Sequence, residues 1–111
     1  MALDVSTEQK NGIAKISLAG ELDAASAGEF RNAIEQLAQD QPRRLVLMMN
    51  KLTFMASAGL RVLVFAKQKM GTDMDIYVVG AHDAVLETIE MTGLHHSLVL
   101  LDTYDATQIE G

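Results

Sequence analysis

The chain contains no cysteine, which excludes a disulfide framework and any metal site built on thiolate ligands. The absence of cysteine fits a reducing compartment, and we expect the protein to remain in the cytosol. Residues 1–9 lack the basic start and the continuous apolar core of a secretion signal. Long apolar runs are missing too, because Leu45–Met49 and Leu98–Leu101 are far shorter than the roughly 20 residues that cross a bilayer. We therefore expect no membrane insertion.

Basic residues are scarce as well. Nine lysines and arginines stand against fifteen acidic residues, which gives a formal net charge of −6. A nucleic acid would have to bind against the field of the whole chain, so we expect no nucleic-acid partner.

Apolar residues are plentiful: they make up 49% of the 111 residues, and charged residues make up 22%. This is the composition of a globular chain that buries enough apolar surface to offset the entropy of ordering. The length is that of one compact domain, which we expect to span residues 1–111.

Apolar periodicity alternates between strand and helix along the chain. Asn11-Gly12 favours a tight turn between two extended segments, so an N-terminal β-hairpin is expected. Ser26 with Glu29 forms a candidate capping box for the first helix, although Asp23 is an alternative cap one turn earlier. The tail after Asp102 is too short to decide on a terminal helix. The later predicted elements are a helix through Ala38, a buried strand at Leu45–Met49, a helix at Ser57–Met70, a strand at Ile76–Val79, a helix at Asp83–Thr92 and a strand at Leu98–Leu101.

The resulting order, β-β-α-β-α-β-α-β, predicts an α/β fold. Helices that cross over between successive strands favour a mostly parallel sheet with helices packed against it. No internal repeat interrupts this plan.

Catalytic patterns are absent. The chain has no Gly-rich phosphate loop, no His-Glu-x-x-His pattern and no Gly-x-Ser-x-Gly elbow. His95 and His96 are adjacent and would diverge in a strand, while Asp83 after His82 is interpreted as a helix cap. We expect no catalytic residue, no metal and no cofactor.

The segment from Asn50 to Leu63 concentrates small residues where a predicted loop meets the second helix. We place Ser57 at the N-cap of that helix, where its hydroxyl would accept a backbone N–H. The same position also favours a phosphate, because free N–H groups and the positive end of the helix dipole stabilise negative charge. Thr53, the nearest other hydroxyl, is expected to be buried or remote. Both the capping and the phosphorylation interpretations of Ser57 stay open on this pattern alone.

Gly20-Glu21-Leu22-Asp23, an Ala-rich helix, a strand and then Phe54-Met55-Ala56-Ser57-Ala58-Gly59-Leu60 together resemble the anti-sigma factor antagonists of the STAS domain family. The resemblance spans nearly the whole chain and implies a STAS-like α/β domain. It implies that Ser57 is the serine that a partner kinase phosphorylates, and that Asp23 lines the same end of the domain. The chain departs from the family pattern at Ala56 and Ala58, which leaves Ser57 as the only hydroxyl of the motif.

The resemblance also implies a function. An unphosphorylated antagonist binds an anti-sigma factor that is a serine protein kinase and so frees the kinase's other partner. A protein-serine phosphatase restores the unphosphorylated form. The kinase supplies ATP and magnesium, so this chain itself needs no cofactor.

The second helix points to a docking face. If Leu60, Leu63, Val64, Ala66 and Met70 face the sheet, Phe65 projects on the opposite side together with basic residues. A small rotation would instead place Phe65 in the core. The residues that we expect to contact a partner are Asp23, Ala56, Ala58, Gly59, Arg61, Phe65 and Lys69.

Three other functions remain open. The first is a STAS subunit of a membrane transport complex, which needs no phosphorylated serine and is compatible with Ala56 and Ala58. The second is a small-ligand sensor at the carboxyl ends of the strands. The third is an enzyme with a site made of Asp23, Ser57 and a histidine, which no spacing in the sequence supports.

Overall fold

A computed structural model describes residues 3–111 of the chain. The N-terminal hairpin pairs β1 (Leu3–Lys10) with β2 (Ile13–Leu22). Asn11 and Gly12 connect them with φ values of 56° and 79°, the left-handed conformations that a two-residue hairpin turn requires. The remaining elements are α1 (Ala27–Ala38), β3 (Arg44–Met55), α2 (Ser57–Met70), β4 (Ile76–Val79), α3 (Asp83–Met91), a 3-10 helix (Leu94–Ser97), β5 (Val99–Leu101) and α4 (Ala106–Glu110).

The five strands form one sheet in the order β1-β2-β3-β4-β5. β1 pairs antiparallel with β2, and every other pair is parallel. The predicted α/β fold, the N-terminal hairpin and the mostly parallel sheet are therefore confirmed.

The two faces of the sheet carry different cores. Leu45 and Leu47 of β3 point into the larger core, with the buried side chains of α1, α2 and α3. Val46, between them, points into a smaller core on the opposite face that Ile109 of α4 completes. This alternation follows from the two-residue period of a strand.

β3 extends well beyond the predicted Leu45–Met49. It runs through residues 50–55, which the sequence indicated as a loop, and Leu52 and Met55 are buried there. The pairing register with β2 shifts between Ser17 and Ala19 and again between Gly20 and Glu21. These irregularities place extra residues in β3 and break the apolar alternation, so the sequence pattern hid the second half of the strand.

Several element ends differ from the prediction by one or two residues. α3 ends at Met91 rather than Thr92, and β5 begins at Val99 rather than Leu98. The undecided tail forms α4, whose first turn Asp105 caps by accepting the Gln108 N–H at 3.2 Å. None of the described helices is long and apolar enough to cross a membrane.

Candidate functional site

The carboxyl ends of β2 and β3 meet at one edge of the sheet. The Ala56 N–H donates to the Leu22 carbonyl at 2.8 Å, so the strands stay joined up to the residues that begin the next segments. Asp23 directly follows Leu22 and Ser57 directly follows Ala56. The structure therefore brings Asp23 and Ser57 to the same edge of the sheet.

Thr53 strengthens this junction from the strand before it. Its Oγ1 donates to the Gly20 carbonyl at 2.9 Å, and the side chain is exposed rather than buried. The expectation that Thr53 is buried or remote is wrong, because Thr53 is the extra residue of β3 at the second register shift and its side chain is exposed.

Gly59 allows α2 to start close to the sheet. A Cβ on Gly59 would lie 2.8 Å from Leu22 carbons and 2.9 Å from Met55 Cγ, closer than side chains tolerate. The Gly59 N–H also donates to the Ala56 carbonyl at 2.9 Å, which tightens the first turn. Gly59 thus sets the position of the helix that carries Ser57.

Ser57 is the first residue of α2 and is exposed. The predicted N-cap position is wrong by one residue: Ala56 occupies it with extended backbone angles, and no side chain caps the helix. The first N–H groups of an uncapped helix point outward with the positive end of its dipole. The Ser57 hydroxyl thus sits in positive potential with no capping bond to hold it.

Asp23 and Ser26 organise the turn between β2 and α1. Asp23 Oδ1 accepts the N–H groups of Ala25 at 3.0 Å and Ser26 at 3.1 Å. Ser26 is buried, and its single hydroxyl proton serves either Asp23 Oδ1 at 3.1 Å or the Glu21 carbonyl at 2.9 Å. The hydrogen bond from the Ser26 hydroxyl is the main cause that lowers the pKa of Asp23, and the backbone N–H of Ser26 adds to it.

The predicted Ser26–Glu29 capping box does not form. Ser26 does precede α1, but its side chain makes no capping bond to that helix and turns back toward Asp23 instead. Likewise His82, not Asp83, occupies the N-cap of α3.

The exposed side of α2 continues from Ser57. Ser57, Arg61, Val64 and Gln68 recur at steps of four, three and four residues and are all exposed, which makes one stripe along the helix. Lys69 is exposed beside the stripe. The predicted inward face was rotated, because Val62 is buried while Val64 is 43% exposed.

Phe65 occupies neither of the two predicted environments. It is half-buried against the larger core, and the Arg31 guanidinium carbon lies 4.1 Å from the centre of its ring. Phe65 therefore borders the stripe as a partly covered aromatic and is not a free surface anchor.

An open groove of about 460 Å³ runs beside the stripe. One wall is α2, and the other is the segment that links α3 to β5. The lining residues are Ser57, Leu60, Arg61, Val64, Thr92, Gly93, Leu94 and Ser97. Sequence reasoning missed this second wall, because the 3-10 helix that carries Leu94 has no apolar period of its own.

Phe54 is another feature that the sequence pattern did not reveal. It directly precedes the buried Met55 at the end of β3, and 47% of its surface is exposed. The sequence offered no signal for this exposure, because residues 50–55 were predicted as a loop and the register shift breaks the alternation of the strand here.

Apart from Phe65, the predicted partner residues lie in four different surroundings. Asp23 shapes the turn after β2, and Gly59 is buried in the first turn of α2. Ala56 and Ala58 flank Ser57 and are half-buried, whereas Arg61 and Lys69 are exposed.

The histidines do not build a metal site. The His95 and His96 rings lie 4.0 Å apart in the 3-10 helix instead of diverging in a strand. Among residues 3–111, no group of three histidine or acidic side chains is placed to hold a metal ion.

Comparison with known proteins gives a consistent result. The STAS domain profile matches residues 4–108. The anti-sigma-F factor antagonist RsfB of Mycobacterium tuberculosis H37Rv is 28% identical over 102 residues, which cover 92% of this chain and 84% of RsfB. The anti-sigma-B factor antagonist of Staphylococcus aureus NCTC 8325 is 24% identical over 99% of this chain and 100% of its own.

Solved structures of anti-sigma factor antagonists have the same fold as this chain. An anti-sigma factor antagonist from Mycobacterium paratuberculosis superposes with a TM-score of 0.88 at 28% identity, covering 98% of this chain and 95% of that one. Unphosphorylated SpoIIAA superposes with a TM-score of 0.76 at 17% identity and covers 87% of each chain, which shows the shared fold.

Proposed function

This chain belongs to the STAS domain family, and from that premise we propose that it is a phosphorylation-controlled protein-binding regulator. Its unphosphorylated form binds an anti-sigma factor that is also a serine kinase. Binding relieves the inhibition that the kinase exerts on a sigma factor or another target. The relatives named anti-sigma factor antagonists, which align over most of this chain, support this proposal.

The observation that carries the proposal is the setting of Ser57. It is an exposed hydroxyl at the uncapped N-terminus of α2, and its neighbours Ala56 and Ala58 carry no hydroxyl. Ser57 also begins the exposed stripe that continues through Arg61 and Val64. A kinase that docks on this stripe has the serine within its contact surface.

Phosphorylation would act by charge and volume. A phosphate adds a charge of about −1.5 to −2 at the point where the partner lies against the start of α2. The helix dipole stabilises that phosphate in the free protein, while the partner surface must accommodate it in the complex. Phosphorylated protein is therefore released, and a protein-serine phosphatase returns it to the binding form.

The first test is the position of the phosphate. The protein is incubated with its anti-sigma kinase and ATP, and the product is examined by intact-mass and fragment mass spectrometry. One phosphate on Ser57 is expected. Thr53→Ala is the matched control, because Thr53 is also exposed and lies four residues away; this variant should be phosphorylated normally, and phosphate lost in Thr53→Ala contradicts the assignment.

The second test is binding. Ser57→Ala should bind the kinase like the wild type, because the hydroxyl makes no capping bond, whereas Ser57→Asp should bind at least about tenfold more weakly because it adds charge to the interface. Calorimetric titration measures both. Equal binding by the two variants contradicts the proposed switch.

A further inference from the structure

β1 has a free outer edge. It pairs with β2 on one side only, and no other segment of residues 3–111 pairs with its outer side. The side chains of Asp4, Glu8 and Lys10 on this strand are exposed. An edge strand of eight residues offers unpaired backbone groups to another chain.

The hairpin geometry fixes which residues face outward. Lys10 and Ile13 close a two-residue turn and therefore form a hydrogen-bonded pair. Hydrogen-bonded and non-hydrogen-bonded residue pairs alternate along an antiparallel ladder. The N–H and C=O groups of Val5, Thr7 and Gln9 consequently point to the free edge, and those of the even-numbered residues point to β2.

We propose that β1 is a dimerisation surface on which a second copy of this chain pairs antiparallel with its twofold axis at Thr7. In this register Thr7 faces Thr7 of the second copy, and Val5 faces Gln9. About six backbone hydrogen bonds then join the two sheets into one. Asp4 of each copy stands directly opposite Lys10 of the other.

Charge selects this register. In this register Asp4 and Lys10 form non-hydrogen-bonded pairs, in which opposed side chains are closest. Each Asp4 carboxylate therefore lies next to a Lys10 ammonium of the other copy. The larger-core faces of the two copies stay on the same side of the joined sheet only if registers differ by two residues. A slip of one residue would turn the side chains of one strand to the other face.

The neighbouring allowed registers are repulsive. An axis at Ser6 places Asp4 opposite Glu8 in both halves of the dimer, and an axis at Glu8 places the two Glu8 side chains opposite each other. Like charges directly opposed destabilise a strand pair. A slip of two residues in either direction from the proposed register therefore brings like charges together.

The proposal is independent of the proposed function, because β1 contributes no residue to the groove beside Ser57. The second copy is the occupant that the charges favour, since the register with its axis at Thr7 pairs opposite charges twice and overlaps the strand along its whole length. A monomer at every accessible concentration would overturn the proposal and leave the Ser57 switch untouched.

Charge exchange is the first test, with mass measured by sedimentation equilibrium up to millimolar protein. The wild type should dimerise. Asp4→Lys and Lys10→Asp should each weaken the dimer about tenfold or more, because each brings like charges together twice. The double variant should dimerise again, and the two single variants should form a heterodimer when mixed. Failure of both rescues overturns the proposed register.

Cross-linking is the second test, because the chain has no cysteine of its own. Thr7→Cys should form a disulfide-linked dimer in oxidising buffer, since the two positions face each other on the axis. Gln9→Cys is the matched control: it is exposed on the same edge, but its two copies lie about 14 Å apart in this register. Equal or faster cross-linking of Gln9→Cys overturns the register.

A third variant separates edge pairing from folding. Thr7→Pro removes an outward N–H and leaves the ladder to β2 intact, and edge strands tolerate proline in that orientation. This variant should keep the circular dichroism spectrum of the wild type and lose the dimer. A folded Thr7→Pro variant that still dimerises contradicts pairing through β1.

Discussion

At the scale of single residues, the site depends on how closely α2 approaches the end of β2. A Cβ at position 59 would collide with carbons of Leu22 and Met55, so the packing requires glycine there. Gly59 thereby sets the position of the helix that begins with Ser57. The short side chains of Ala56 and Ala58 leave little bulk around the Ser57 hydroxyl.

Gly59→Ala should therefore destabilise the protein by about 1–3 kcal/mol, because the added methyl group forces Leu22 and Met55 to move. Gly28→Ala is the matched control, since nothing lies within 4 Å of its Cβ position in α1. That variant should be neutral or gain up to about 1 kcal/mol from helix propensity. Urea unfolding of both variants measures the difference, and equal midpoints would mean that the close approach is absent.

Asp23 should stabilise the fold in its charged form. Hydrogen bonds from Ser26 and Ala25 lower its pKa in the folded protein below the ordinary value of 3.8. The contribution is therefore present above about pH 4 and is lost as the pH falls through the folded pKa. Asp23→Asn keeps an acceptor oxygen but should remove this part of the acid destabilisation, as urea unfolding between pH 7 and pH 3 can measure. An unchanged acid slope in Asp23→Asn would contradict the hydrogen-bonded turn.

At the scale of secondary-structure elements, α2 combines two roles on two sides. Val62, Leu63 and Ala66 anchor it in the larger core. Its opposite side presents Arg61 and Lys69 in a protein whose net charge is −6. This is a basic surface on an acidic molecule, suited to an acidic partner.

Reversing these charges should weaken binding without unfolding the helix. Arg61→Glu and Lys69→Glu should each lower the association rate with the kinase, and added salt should reduce the effect, as for charges at the rim of an interface. Lys51→Glu, an equal change in charge at an exposed position of β3, is the control. Stopped-flow mixing measures the rates; a Lys51→Glu effect as large as the others would assign the result to net charge alone.

Phe65→Ala should have an intermediate effect on stability. The ring is half-buried and covered by Arg31, so its truncation should lower the free energy of unfolding by about 1–2 kcal/mol. A fully buried phenylalanine typically loses about 3–5 kcal/mol. Urea unfolding separates the two cases, and a loss in the higher range would place Phe65 wholly in the core.

α4 closes the second face of the sheet through Ile109 and a hydrogen bond from the Tyr104 hydroxyl to Glu110 at 2.6 Å. That bond raises the pKa of Tyr104 to about 12. A raised pKa means that the bond stabilises the fold below about pH 10 and that this contribution is lost as the pH rises toward 12. Tyr104→Phe should lose stability at pH 9 and show a shallower alkaline decline in urea unfolding. A decline as steep as that of the wild type would contradict this prediction.

The sequence predicted elements better than their ends. The hairpin and three helices follow from turn chemistry and apolar period, and these are local properties. The second half of β3 does not, because its bulges depend on how β2 lies beside it. The N-cap of α2 was predicted one residue too late, at Ser57, for the same reason. The Ala56 N–H donates to the Leu22 carbonyl, and the local sequence does not indicate this hydrogen bond.

At the scale of the whole molecule, the parallel sheet collects the candidate site at one edge. The crossover through α1 places the ends of β2 and β3 together, so Asp23 and Ser57 lie at the same edge of the sheet although 34 positions separate them in the chain. A single phosphate on Ser57 would then act beside the contact surface that we propose for α2 and the adjoining groove.

The most direct measurement is a pair of calorimetric titrations of the anti-sigma kinase without ATP. One uses the unphosphorylated protein and the other uses protein carrying a single phosphate, purified after its mass and position have been verified. The unphosphorylated form should bind, and the phosphorylated form should bind at least about a hundredfold more weakly, since a charge of about −2 is added within the interface. Equal affinities of the two forms would contradict the account.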